Sequence, residues 1–106
     1  MRIDTRALTF EPTDAIREHT ERRARFALGR FADRVRAVRV TIGDINGPKG
    51  GADKRATVVV QAYAGWRVVI EDTDVDAYAA VASALARAGR AVGRSLERQR
   101  LLARTA

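Results

Sequence analysis

Residues 56 to 73, ATVVVQAYAGWRVVIEDT, hold two β-branched runs with only Ala64 and Gly65 between them. Side chains of this kind suit a pleated, half-buried surface, and so short a gap leaves no room for a helix or a crossover. The runs 56 to 64 and 66 to 73 are therefore predicted as antiparallel strands joined by a tight hairpin, with Gly65 supplying the positive φ such turns need. Trp66 shares a strand face with Val68 and Ile70, which marks it for packing rather than for stacking on a base.

Two more strands lie upstream. AVRVTIG, 37 to 43, puts Val38, Val40 and Ile42 on one face, and RIDTRAL, 2 to 8, alternates Ile3, Thr5 and Ala7 against Arg2, Asp4 and Arg6. Between them Thr13 can cap a helix, with Asp14 in the first turn where a carboxylate suits the helix dipole. Ile16, Thr20, Ala24, Ala27 and Phe31 then share a face, opposite Arg22 and Arg25. A last helix is predicted after Asp74 as its cap, with Asp76 in the first turn and a core stripe of Tyr78, Val81, Ala82, Leu85, Gly89, Val92 and Leu96. Gly89 and Gly93 each cost about 0.8 to 1 kcal/mol against Ala in a helix interior, so close backbone packing is expected there. The order is β-α-β-β-β-α, an α+β chain, and its 106 residues read as one domain with a basic tail at about 100 to 106.

Charge narrows the function. Twenty Lys and Arg against thirteen Asp and Glu give +7, which points to a polyanionic partner. From residue 83 to 106 there are six arginines against Glu97 alone, a local charge of +5. With Leu85 at 0°, Arg87, Arg90, Arg94 and Arg98 fall at about 200°, 140°, 180° and 220°, opposite the core stripe. Like charges at i,i+4 repel mildly, and a phosphate backbone is the simplest compensation.

Chemistry is poorly provided for. Without cysteine there is no disulfide, thiolate metal site or thiol nucleophile, and a single histidine, His19, cannot build a His-based metal site. Asp72, Asp74 and Asp76 alternate at a strand-to-helix junction, where carboxylates serve as caps. The glycine-rich GDINGPKGGADKR, 43 to 55, is no Walker loop: the sixth residue from Gly47 is Ala52, and a strand follows. It is predicted as a mobile connection whose Lys49, Lys54 and Arg55 can meet an RNA backbone. No enzyme activity, metal, cofactor, small-molecule substrate or membrane contact is expected, and a cytoplasmic protein is.

LTFEPTDAIREHTERR entering the first helix, DKRATVVV, the DTD ending the fourth strand and DAYAAVASALARAGRAVGRSLERQR follow in an order and spacing that resemble the ribosome hibernation promoting factor family along nearly the whole chain. That resemblance implies a four-stranded sheet with both helices on one face and a protein seated in the tRNA and mRNA channel of the small ribosomal subunit. It also implies rRNA contacts from Arg22, Arg23 and Arg25 in the first helix and from Arg87, Arg90 and Arg94 in the second, with Arg98 added by the helical-wheel reading. Ala86 and Gly89 stand where the family often has acids, which makes this helix more basic. A C-terminal dimerisation domain, present in longer members, is not expected in these residues, and a monomer is. A protein-binding regulator and a general double-stranded nucleic-acid binder remain open as alternatives.

Overall fold

The computed structural model describes residues 1–8, 10–45 and 53–105. Its elements are β1 (Arg2–Ala7), α1 (Asp14–Leu28), a 3-10 turn (Gly29–Phe31), β2 (Val35–Asp44), β3 (Lys54–Ala62), β4 (Arg67–Asp74) and α2 (Ala77–Thr105). The expected β-α-β-β-β-α order is thus borne out. The strands form one sheet in the order β1-β2-β3-β4. β1 and β2 are parallel, as a crossover through α1 allows, and the other two pairs are antiparallel. The centre of the glycine-rich loop, residues 46 to 52 with Lys49, lies outside the described residues.

Thr13 caps α1 as expected: the Ile16 N–H donates to Thr13 Oγ1 at 3.2 Å and the Arg17 N–H to Thr13 O at 3.0 Å. The hairpin closes through Ala62 N–H to Trp66 O at 2.9 Å and Gly65 N–H to Ala62 O at 3.1 Å, with Gly65 at φ 100°. Its loop is Tyr63, Ala64 and Gly65, so β3 stops two residues before the apolar run does. β2 begins earlier than its alternation suggests, because a bulge between Val35 and Ala37 breaks the period and lets Val35 and Val38 both face inward.

One core joins Val38, Val40 and Ile42 of β2 and Ala56, Val58 and Val60 of β3 to Ile16, Ala24 and Leu28 of α1 and Val81, Leu85 and Val92 of α2. Both helices therefore cover the same sheet face. Trp66 is half-buried against this core. The opposite face is open to water and presents Arg2, Arg6, Arg39, Arg55 and Arg67 among Asp4, Thr41, Val59, Gln61, Val69 and Glu71.

Three details differ from expectation. The cap of α2 is Asp76, whose Oδ1 accepts the Tyr78 N–H at 3.0 Å and whose carbonyl accepts the Ala80 N–H at 3.0 Å; Asp74 Oδ1 instead accepts the Asp76 N–H in a turn one step earlier. The buried row of α2 includes Ala80, Ala84 and Ala88, while Tyr78 is 40% exposed with its ring edge-on to His19, centroids 4.9 Å apart. Alanines recur on several sides of this helix, Ala86 exposed as well as these three buried, so the buried alanines leave no mark in a hydropathy pattern. The stretch beyond residue 100 continues α2 to Thr105; at about 1.5 Å per residue its 29 residues extend well past the sheet.

Candidate nucleic-acid interface

α1 and α2 lie in backbone contact at one point. A Cβ on Gly89 would sit 2.5 Å from the carbonyl oxygen of Ala27, so only glycine permits this approach. At Gly93 the same atom would meet Phe31 Cζ at 3.5 Å, an ordinary contact. Gly89 is therefore the residue that sets the helix spacing, and Gly93 is not required for it.

The contact forms the floor of a shallow groove lined by Arg23, Phe26, Ala27, Arg30, Ala82, Ala86, Gly89 and Arg90. Arg23 and Arg30, seven residues apart, project from the α1 side, and Arg90 faces them from α2. The Arg30 guanidinium stacks 4.6 Å from the Phe31 ring centroid, which fixes its position without neutralising it. Arg94 and Arg98 continue along the exposed side of α2, and Arg22 stands exposed on α1. Among the described residues, none of Arg22, Arg23, Arg30, Arg90, Arg94 and Arg98 has a carboxylate within 4.0 Å. Six guanidiniums of one sign, three of them lining one groove, give a surface that can hold several phosphates at once.

The other sequence-predicted cations are engaged within the fold. Arg25 pairs with Glu21 at 2.9 Å, Lys54 with Asp44 at 2.5 Å and Arg55 with Glu71 at 3.7 Å. Arg87 leaves the stripe altogether: it donates to Glu71 O at 2.9 Å and lies 3.5 Å from Asp72, clasping α2 to β4. The hydrogen bond from Lys54 to Asp44 raises the ammonium pKa. The Ser83 hydroxyl, then the Thr73 N–H and Arg87, hold the Asp72 carboxyl below its ordinary range.

Asp72, Asp74 and Asp76 thus all act as acceptors at the strand-to-helix junction, and no group of three His, Cys, Asp or Glu among the described residues is placed to hold a metal ion. No described helix is long and apolar enough to cross a membrane. Arg30 and Phe26 were missed by sequence reasoning. Arg30 could have been found by its i+7 spacing from Arg23, but the 3-10 turn at Gly29 hides that it still follows the helix face.

The structure is a two-layer α+β domain whose helix layer carries arginines without carboxylate partners among the described residues, a surface whose chemistry suits a polyanion. Residues 3–100 match the family of sigma 54 modulation protein / S30EA ribosomal protein, and the chain belongs to that family. It is the ribosome-associated hibernation family that the ordered sequence fragments resemble. Among solved structures, the N-terminal domain of Protein Y from Thermus thermophilus is 29% identical with a TM-score of 0.71, covering 89% of this chain and 98% of that one. A ribosomal subunit interface protein from Coxiella burnetii shares the fold at 18% identity, TM-score 0.74, over 92% of this chain and 99% of that one. No curated protein matches the chain.

Proposed function

We propose that the protein binds small-subunit rRNA through the outer surface of α1 and α2, occupies the tRNA and mRNA channel, and stops translation by occlusion without any turnover chemistry. The observation that carries this reading is the set of six arginines on the helix layer, three of them lining one groove, that have no carboxylate within 4.0 Å among the described residues. Arg22, Arg23, Arg90, Arg94 and Arg98 are the primary phosphate contacts. Arg25, Arg87 and Lys54 contribute only by exchanging a partner inside the protein for a phosphate, and Arg55, on the open sheet face, stays outside the contact. The protein acts as a cytoplasmic monomer.

Sedimentation tests this directly. The protein should travel with vacant small subunits at low salt, leave them as salt rises, and inhibit translation in a purified system in proportion to occupancy. A protein that stays at the top of the low-salt gradient overturns the reading. Equal affinity for any RNA duplex would replace it with a general nucleic-acid binder.

A further inference from the structure

Phe26 is 87% exposed, the most exposed of the large apolar side chains among the described residues. A single apolar side chain on a surface needs no explanation. The surroundings of this one do. It stands in the groove between α1 and α2, whose floor is Ala27, Ala82, Ala86 and Gly89 and whose rim is Arg23, Arg30 and Arg90. The floor carries no side chain longer than a methyl, so the space beside the ring stays open, and none of the three rim cations has a carboxylate partner among the described residues.

A flat π surface next to an open slot fits a planar ring, and cations on either side of the slot fit anions attached to it. One chemical unit supplies both: a nucleotide whose base has left its helix, with phosphates before and after it in the strand. Unstacked bases are what proteins read in RNA, by stacking them on aromatic rings, while paired bases are hidden in the duplex. We infer that the groove receives one unpaired RNA base, laid against Phe26 over the small-residue floor, with the flanking phosphates on Arg23 and Arg90. Arg30, held by Phe31, closes the far end of the slot.

The assignment rests on the proposed RNA binding and adds a requirement to it: the RNA must offer an unpaired nucleotide where the helices meet. An RNA strand rather than a free nucleotide is the occupant, because the cations lie on both rims and so suit phosphates on both sides of the base.

Binding of the full chain to vacant small subunits, measured across a salt series, tests this with Phe26→Ala, Phe26→Leu and Phe26→Trp. The alanine variant should lose roughly 5- to 160-fold in affinity, the range for one stacked base, with an unchanged salt slope and an unchanged Tm, since the ring is exposed. Trp should restore binding and Leu should not, because Leu is apolar without a π face. Excess AMP should fail to displace the subunits. If Phe26→Ala binds like the parent chain while Arg90→Gln weakens binding, or if Leu restores it, or if AMP competes, the base slot is wrong and the RNA-binding reading stands. If the parent chain itself does not bind subunits, that reading fails and the slot falls with it.

Discussion

The helix layer and the open sheet face are both rich in arginine, but their charges are organised in opposite ways. On the sheet face Arg6 and Arg39 share Asp4, at 3.3 and 3.8 Å, Arg55 reaches Glu71 at 3.7 Å, and Arg36 donates to Gln61 at 3.0 Å, which leaves Arg2 and Arg67 there without a carboxylate among the described residues. On the helix layer Arg22, Arg23, Arg30, Arg90, Arg94 and Arg98 have no carboxylate within reach among the described residues. Counting arginines therefore does not locate a binding surface. What locates it is where charge left uncompensated within the fold is concentrated, since that charge gains a partner, rather than exchanging one, when a polyanion docks.

The largest expected effect tests the contrast itself. Arg90, Arg94 and Arg98 changed together to Gln should weaken small-subunit binding on the order of 10²- to 10³-fold near 0.1 M salt and remove about one unit of salt slope per arginine. Stability should stay within about 0.5 kcal/mol per exposed site. The matching triple on the sheet face, Arg6, Arg39 and Arg55 to Gln, removes the same formal charge and should change affinity by no more than about threefold, because those cations are already offset and lie beyond a Debye length of about 8 Å at 0.15 M salt. Equal losses from the two triples, read from filter binding across a salt series, would erase the distinction.

A smaller effect is expected where geometry, not charge, shapes the helix surface. Gly89→Ala places a Cβ 2.5 Å from a backbone oxygen that cannot swing aside. The better helix propensity of alanine, worth about 1 kcal/mol, should be outweighed, leaving a net loss of about 1 to 3 kcal/mol as α1 and α2 part. Thermal or urea unfolding measures it. Gly93→Ala is the control and should be neutral or stabilising, because its Cβ meets only ordinary contacts. A stabilised Gly89→Ala would mean that the helices are free to separate and that the groove is not fixed by this residue.

The backbone plan was legible in the sequence because each of its signals is local. Thr13 as a cap, the β-branched runs of β3 and β4 and the positive φ of Gly65 depend on neighbours a few positions away. What was not legible depends on long-range placement. Leu28 is fully buried although the apolar spacing favoured Ala27 and Phe31, which are only partly buried against the core. Arg87 sits on the arginine face of the helical wheel, but the wheel has no knowledge of β4, whose Glu71 carbonyl and Asp72 carboxylate claim it. Phe26 was passed over for the opposite reason: an aromatic outside the apolar stripe gives no periodic signal, and its significance comes from Arg90 on the other helix.

The smallest effect separates Arg87 from the residues it neighbours in sequence. Asp72 accepts from the Ser83 hydroxyl, the Thr73 N–H and Arg87, and its carboxyl is held below the ordinary carboxylate range, most strongly by Ser83. A depressed folded-state value means that the anion is favoured in the native protein. Its stabilisation is fully present above the unfolded value, about 3.9 for Asp, and is lost as pH falls through the lower folded value. Ser83→Ala and Arg87→Gln should each reduce stability above pH 5 and leave it nearly unchanged in the acid limit, flattening the acid side of the stability curve, with Ser83→Ala the larger of the two. The Arg87 contribution should not exceed about 1 kcal/mol, because both partners keep contact with water. Arg90→Gln, three residues on, should leave the same curve untouched, since no carboxylate among the described residues faces it. Urea unfolding at a series of pH values between 3 and 7 makes the comparison. If Arg87→Gln shows a parent-like pH profile but a reduced salt slope in subunit binding, Arg87 belongs with the unpaired stripe and its clasp on β4 opens in solution.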